Sequence, residues 1–177
     1  MKDYLFTSNR LGFRNWLDDD VKPFAKLNAD PVVMQYFPKT LSLIETENFI
    51  TRAKKQFTER GYTYFAVEEL KTQKFIGFIG LSYQTYEASF NPNVDIGWRL
   101  AQAFWGKGYA TEGAERCLEF AFNNLSLNEV MAVCTVSNTA SENVMEKIKM
   151  EKQECFDHPY LSGFPELQKC IRYKATR

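Results

Sequence analysis

The chain is short of histidine, of net charge and of long apolar runs, and each shortage closes a class of function. His158 is its only imidazole. The four cysteines, Cys117, Cys134, Cys155 and Cys170, stand far apart with no Cys-x-x-Cys pair, so a structural zinc site lacks a ligand set and no metal is expected. Cys117 and Cys134 fall inside apolar patterns and read as small buried hydrophobes; a Cys-His nucleophilic pair with His158 has nothing else to support it. Lys plus Arg and Asp plus Glu both number 22, so no overall field draws the protein toward nucleic acid or an anionic membrane, and any anion must be bound locally. Nowhere do about 18 apolar residues run together, the length a membrane span needs. The first residues carry an acid at Asp3 and no apolar core before small residues, which is not the pattern of a secretory signal. No repeat or Gly/Ser-rich linker interrupts the chain. A cytoplasmic protein folded as a single domain over 1–177 is expected.

Enough apolar residues are present, 45% of 177, for one ordinary core. An imperfect alternation from Arg10 to Trp16 predicts a first strand. Asp18-Asp19-Asp20 then offers N-cap and first-turn acids to a short helix that tolerates Pro23. Val32 to Phe37 predicts one further helical turn, stopped by Pro38. Ser42 and Glu45 form a capping box for a longer helix ended by Gly61. Tyr62 to Glu69 and Phe75 to Tyr83 predict a hairpin, and Val94 to Leu100 another strand. Ala110, Ala114, Cys117, Leu118, Ala121, Phe122 and Leu125 recur at helical spacing. Val130 to Val136 reads as a buried strand, a helix starts near Thr139, and Gln153 to Phe156 with Lys169 to Tyr173 close the chain as strands. The fold class is α/β, a mixed sheet of about seven strands with helices on both faces, in the order β-α-α-β-β-β-α-β-α-β-β.

The segment that carries chemistry is the passage from strand Val94 to Leu100, through Trp105-Gly106-Lys107-Gly108, into the long helix. The first amides of a helix have no partner within it and its dipole adds partial positive charge, so a phosphate satisfies both. Gly106 and Gly108 allow close approach or positive φ, and Lys107 can add charge from the side. Two other phosphate loops fail on inspection: a Walker A loop needs Ser or Thr after Gly-Lys, where Gly108 stands, and a dinucleotide fingerprint needs Gly or Ala where Thr111 stands. The bland alternative is a turn that needs glycine only for tightness.

Trp105-Gly106-Lys107-Gly108-Tyr109-Ala110, preceded by Asp95-Ile96-Gly97-Trp98-Arg99-Leu100, resembles the phosphate loop of the GNAT superfamily, in its RimJ/RimL-like branch. Leu27-Asn28-Ala29-Asp30-Pro31, Phe75-Ile76-Gly77-Phe78-Ile79-Gly80 and the run Asn138-Thr139-Ala140-Ser141-Glu142-Asn143 through Lys147 are similar to other stretches of that branch. The resemblance spans roughly Thr7 to Tyr173. It departs at Trp105, where Gln or Arg is usual, and at Lys149, where the branch has a glycine just past the helix, so a strained or remodelled cap is expected there.

The resemblance implies an acetyl-CoA-dependent N-acetyltransferase of splayed-sheet GNAT fold, with acetyl-CoA as cosubstrate and a primary amine, on a protein N-terminus or a small molecule, as acceptor. The amine attacks the thioester directly. The implied cosubstrate contacts are the backbone of Trp98, Arg99 and Leu100, the loop Trp105, Gly106, Lys107, Gly108, Tyr109, Ala110 and Thr111, and Asn138 and Asn143. Asp95 is the candidate base or ammonium-orienting group, and Ser141 the candidate donor to the leaving sulfur. Their ordinary alternatives are an exposed strand acid and a polar helix start. His158 and the aromatics Tyr36, Phe37, Tyr83, Tyr86, Phe90 and Tyr160 suggest an acceptor cleft that accepts apolar or cationic groups. The protein is expected as a monomer or homodimer, with no nucleic-acid or membrane partner. The competing class is a GNAT-fold sensor or interaction module that binds acyl-CoA without transfer.

Overall fold

In the computed structural model, which describes residues 3–177, one mixed sheet runs through the molecule in the order β1-β2-β3-β4-β5-β6-β8-β7. The strands are β1 (Phe6–Thr7), β2 (Leu11–Arg14), β3 (Tyr64–Glu69), β4 (Lys74–Gln84), β5 (Asn93–Leu100), β6 (Glu129–Thr135), β7 (Glu151–Asp157) and β8 (Lys169–Thr176). The helices are α1 (Val21–Asn28), α2 (Leu43–Arg60), α3 (Tyr109–Asn123), α4 (Thr139–Lys147) and the short α5 (Pro165–Gln168). Among the described residues the strands number eight; the additional one is the two-residue β1, which pairs Phe6 with Phe13 and is too short to show a period.

Period-two alternation sorts the sheet residues to two cores. Leu11, Phe13, Phe65, Val67, Ile79 and Leu81 pack with Ala114, Cys117, Leu118 and Ala121 of α3. On the opposite face Trp16, Ala66 and Phe78 pack with Phe24 and Leu27 of α1 and Ile50 and Ala53 of α2. The helices therefore cover both faces, and Cys117 and Cys134 are buried members of the first core.

Local expectations held where local chemistry decides. Ser42 and Glu45 close the capping box of α2, and Gly61 ends it at φ 75. Two segments differ. β2 stops at Arg14, two residues short of Trp16; Arg14 still pairs with Ala66, and its side chain enters a buried ion cluster: its Nη atoms donate to Asp20 Oδ2 at 2.6 Å and Oδ1 at 2.7 Å, and its Nε to Glu68 Oε1 at 2.9 Å. Asp20 thus stands at the N-cap position of α1 without capping it. Residues 32–37 form successive turns rather than a helix, with Met34 N bonded to Asp30 O at 3.0 Å and Phe37 N to Met34 O at 2.9 Å.

The end of α4 needs no remodelling. Lys149 adopts φ 60, and the amides of Lys149 and Met150 bond to the carbonyls of Glu146 and Met145, both at 3.0 Å, the pair of contacts that defines a Schellman cap. The lysine accepts the left-handed conformation at a steric cost of about 1–2 kcal/mol, anchored by Met145 and Met150, both buried.

Candidate functional site

The passage from β5 to α3 is built to leave amides unused. After a 3-10 turn at Gln102–Phe104, Gly106 at φ 70 and Gly108 at φ 77 reverse the chain so that α3 starts at Tyr109. The first amide of this helix with a backbone acceptor is that of Glu112, to Gly108 O at 3.0 Å. Among the described residues the amides of 106–111 have no protein acceptor, and they sit where the helix dipole is positive. Trp105 does not act as a polar donor into this region; its Nε1 donates to Leu100 O at 2.7 Å and ties the loop to the end of β5.

Arg10 braces the loop from outside. Its Nη1 donates to Lys107 O at 3.0 Å and its Nε to Glu112 Oε2 at 2.6 Å, and its guanidinium lies 4.5 Å over the Tyr109 ring. Tyr109 in turn hydrogen-bonds Glu69 through its hydroxyl. Partial burial pulls the Glu112 carboxyl upward, but hydrogen bonds from Ser8 and Arg10 outweigh it and hold Glu112 below the ordinary range. A carboxylate fixed in the first turn of α3 also favours the helix start.

β5 is paired with β4 along its whole length, from Asn93 with Gln84 to Leu100 with Gly77. Its parallel partner β6 meets it in register only at Asp95 with Met131. Beyond that point the two strands part. Ala101 N bonds back to Ile76 O of β4 at 2.9 Å, so by alternation the amides of Trp98 and Leu100 face the gap. The gap opens into a cavity of about 690 Å³ whose wall includes Trp98, Arg99 and Leu100 on one side and Val133, Cys134 and Thr135 on the other. Burial pushes the Cys134 thiol up to about 12, which makes it a poor nucleophile.

Asp95 marks the mouth of the gap. Its Oδ1 accepts from Tyr64 Oη at 2.8 Å and its Oδ2 from Gln84 Nε2 at 3.0 Å. Desolvation raises its pKa to about 6, with the two hydrogen bonds pulling the other way. His158 lies on the same cavity; its Nδ1 accepts from Tyr160 N at 3.2 Å and its ring sits 4.4 Å from that of Tyr86. Burial lowers its pKa, so the neutral ring is favoured at neutral pH.

Of the residues singled out in the sequence, Asp95, Trp98, Arg99, Leu100, Trp105, Gly106, Gly108, Tyr109, Ala110, Thr111, Asn138 and Ser141 share this one cavity. Asn138 is the N-cap of α4, its Oδ1 accepting from Ser141 N at 3.1 Å. Lys107 and Asn143 lie off the cavity wall; the Lys107 ammonium rests 5.2 Å over the Phe104 ring. Tyr36, Phe37, Tyr86 and Tyr160 line the cavity, while Tyr83 and Phe90 do not. Sequence reading missed Arg10, Tyr64 and Gln84. None carries a local signal, since Tyr64 and Gln84 meet Asp95 only across strand pairings and Arg10 meets Lys107 and Glu112 some hundred positions away. Among the described residues no group of three or more His, Cys, Asp or Glu side chains comes together to hold a metal ion, and no helix is long and apolar enough to cross a membrane.

Comparison with known proteins places this architecture. Residues 10–151 match the acetyltransferase (GNAT) domain family, and the chain belongs to that family. It is an acetyl-CoA-dependent N-acetyltransferase. It is similar to the uncharacterised protein YkkB of Bacillus subtilis, 32% identical over 133 residues that cover 75% of this chain and 76% of that one. Its fold matches a RimL ribosomal L7/L12 α-N-protein acetyltransferase solved with coenzyme A, at TM-score 0.77 and 17% identity over 98% of both chains. It also matches a spermidine N-acetyltransferase from Vibrio cholerae solved with coenzyme A and spermine, at TM-score 0.73 and 18% identity over 94% of this chain and 95% of that one. The residues present fit acetyl-CoA, because amides 106–111 and the open side of β5 are donors and acceptors that the protein itself does not use.

Proposed function

We propose that acetyl transfer to a primary amine takes place at the mouth of the β5–β6 gap, with Asp95 taking the proton of the incoming ammonium. The observation that carries this reading is the position of Asp95 itself, the β5 residue paired with Met131 where the strands part. Acetyl-CoA supplies an acyl group already activated as a thioester. The loop amides of Gly106, Lys107, Gly108, Tyr109, Ala110 and Thr111, at the positive end of α3, hold its diphosphate. Several hydrogen bonds to a charged group, each about 1.5–3 kcal/mol, suffice without a basic surface. The backbone of Trp98, Arg99 and Leu100 pairs with the pantetheine arm as an added strand would.

A carboxyl titrating at about 6 is ionised at neutral pH yet close enough to it to accept a proton readily. Tyr64 and Gln84 orient it. Ser141, set in the first turn of α4 by the Asn138 cap, donates to the departing sulfur, and Asn138 flanks the cosubstrate, whereas Asn143 is exposed off the cavity wall. The RimJ/RimL-like branch is the nearest description of this arrangement. The acceptor class stays broad on fold alone, since one matched fold acts on a ribosomal protein and another on spermidine.

The test is thiol release from acetyl-CoA on addition of amines, alongside calorimetric binding of acetyl-CoA. Amine-stimulated release that collapses in Asp95→Asn and slows in Ser141→Ala is expected. Tight binding with no stimulated release by any amine would instead identify a sensor module.

A further inference from the structure

The acceptor side of the cavity contains a half-buried cation with no counter-ion. Arg99 projects from the same face of β5 as Asp95, since residues 95, 97 and 99 alternate with the core-facing Ile96, Trp98 and Leu100. Its Nη1 donates to Asn28 Oδ1 at 2.8 Å, while its buried Nε has no partner. Among the described residues no carboxylate lies within ion-pair distance of it. The guanidinium is packed between rings, 4.2 Å over Phe37 and 5.4 Å from Phe78. Asn28 is wholly buried and its own amide is committed to Thr46 Oγ1 at 3.1 Å, so it holds the guanidinium in place without neutralising it. Desolvation lowers the pKa of Arg99 only to about 10, and it remains charged.

A half-buried, pre-oriented fork with an unused donor is costly unless something pairs with it. The other ionisable groups on the wall sharpen what that partner is. Asp95 is the cavity's one carboxylate among the described residues, and Lys147 lies with Asn138 and Ser141 on the α4 side. A polyamine, with several ammonium groups, would find one acid and a repelling guanidinium. We infer that Arg99 reads a carboxylate on the acceptor, so that the acceptor is zwitterionic, its amine directed to Asp95 and its carboxylate to Arg99. This rests on the reading of Asp95 as the amine's end of the site.

The spacing narrows the class. Four residues of strand separate the two Cα atoms by about 13 Å, and the ring of Tyr64 covers the floor between them. A Cβ on Gly97 would come within 3.0 Å of that ring. An acceptor whose amine and carboxylate stand several atoms apart matches that spacing better than a free α-amino acid, which carries both on one carbon. A long ω-amino acid, or a peptide N-terminus with an acidic side chain a few residues on, has that separation.

The test compares matched acid and amide acceptors by thiol release: ω-aminooctanoate against its amide, and Ala-Ala-Asp-amide against Ala-Ala-Asn-amide, with spermidine as the polycation. The two pairs separate a free acid from a peptide source. Calorimetric binding of each to the protein saturated with coenzyme A gives a readout that does not depend on turnover. An acid-over-amide preference of about tenfold or more in kcat/KM and in binding is expected for at least one pair, falling to about one in Arg99→Gln and partly retained in Arg99→Lys. Equal use of acid and amide by the wild-type protein, a preference for spermidine, or an Arg99→Gln variant that weakens acid and amide alike would overturn the inference while leaving Asp95 as base. If no amine stimulates release although acetyl-CoA binds, the Asp95 reading fails, and the calorimetric acid-to-amide ratio alone decides the role of Arg99.

Discussion

The two ends of the cavity are made in different ways. The loop end is built from consecutive residues, 105 to 111, and its working groups are backbone amides left over by a strand-to-helix turn with two left-handed glycines. The end around Asp95, the proposed acceptor end, is built from side chains that arrive separately: Phe37 from the α1–α2 connection, Tyr64 from β3, Gln84 from β4, Asp95 and Arg99 from β5, and His158 with Tyr160 from beyond β7. A site made of backbone depends on local conformation and tolerates side-chain change, as the presence of Trp105 illustrates. A site made of side chains depends on sheet register, and any one of its members can change what it selects. The difference explains how one fold can keep a common cosubstrate while its acceptors range from a ribosomal protein to a polyamine.

Substitutions at the two ends should separate cleanly. Asp95→Asn is expected to lower kcat/KM by about 10²–10⁴ with acetyl-CoA affinity nearly intact in calorimetry. Wild-type activity should rise with pH through about 6 as Asp95 ionises, and the variant should lack that limb. The same change has an opposite effect on stability. The folded-state pKa lies above the ordinary carboxyl value of 3.8, so the stability tied to the protonated form is present below about 4 and lost as pH rises through about 6. Asp95→Asn should therefore be more stable than wild type above pH 6, by about 1–3 kcal/mol in denaturant titrations, with the gap closing in acid. A variant less stable at pH 8 would contradict the desolvated carboxyl.

Gly108→Val acts on the other end. A β-branched residue at φ 77 is strongly disfavoured, and losing two or so charge-assisted amide bonds should weaken acetyl-CoA binding about 100-fold. Acceptor selectivity, measured at saturating acetyl-CoA, should stay unchanged; a shift in it would mean that the two ends are not independent.

Tyr64→Phe removes a donor from the ionised form of Asp95. The acid limb of the pH–rate profile should move upward by about one pH unit, with activity falling about twofold at pH 7 and about tenfold well below pH 6. Movement of the limb toward acid would show that the tyrosine does not support the carboxylate. The smallest effect is at Lys149→Gly, which relieves a left-handed lysine and should raise stability by about 1 kcal/mol in thermal or denaturant unfolding without altering kinetics.

The loop end was legible before any coordinates because its chemistry and its pattern are the same thing: glycines where φ must be positive, followed by helical spacing. The same holds for the Ser42 capping box and Gly61, where side chain and backbone lie within four residues of each other. Arg14 shows the opposite case: it is the strand residue that the pattern predicts, but its ion cluster with Asp20 and Glu68 joins side chains the pattern does not link. Lys149 shows a third, in which two buried methionines hold a cap that the lysine by itself disfavours.

By itself, the amino-acid order determined the longer strands and helices, though not β1 or α5, and where unsatisfied amides are left at the head of α3, since both follow from dihedral preferences and hydrogen bonds within a few residues. Tertiary structure alone decided that β5 and β6 part beyond Asp95 and that Tyr64, Gln84 and Arg99 gather around the gap. Those contacts join residues tens of positions apart, and their register is set by how two cores pack on opposite faces of one sheet.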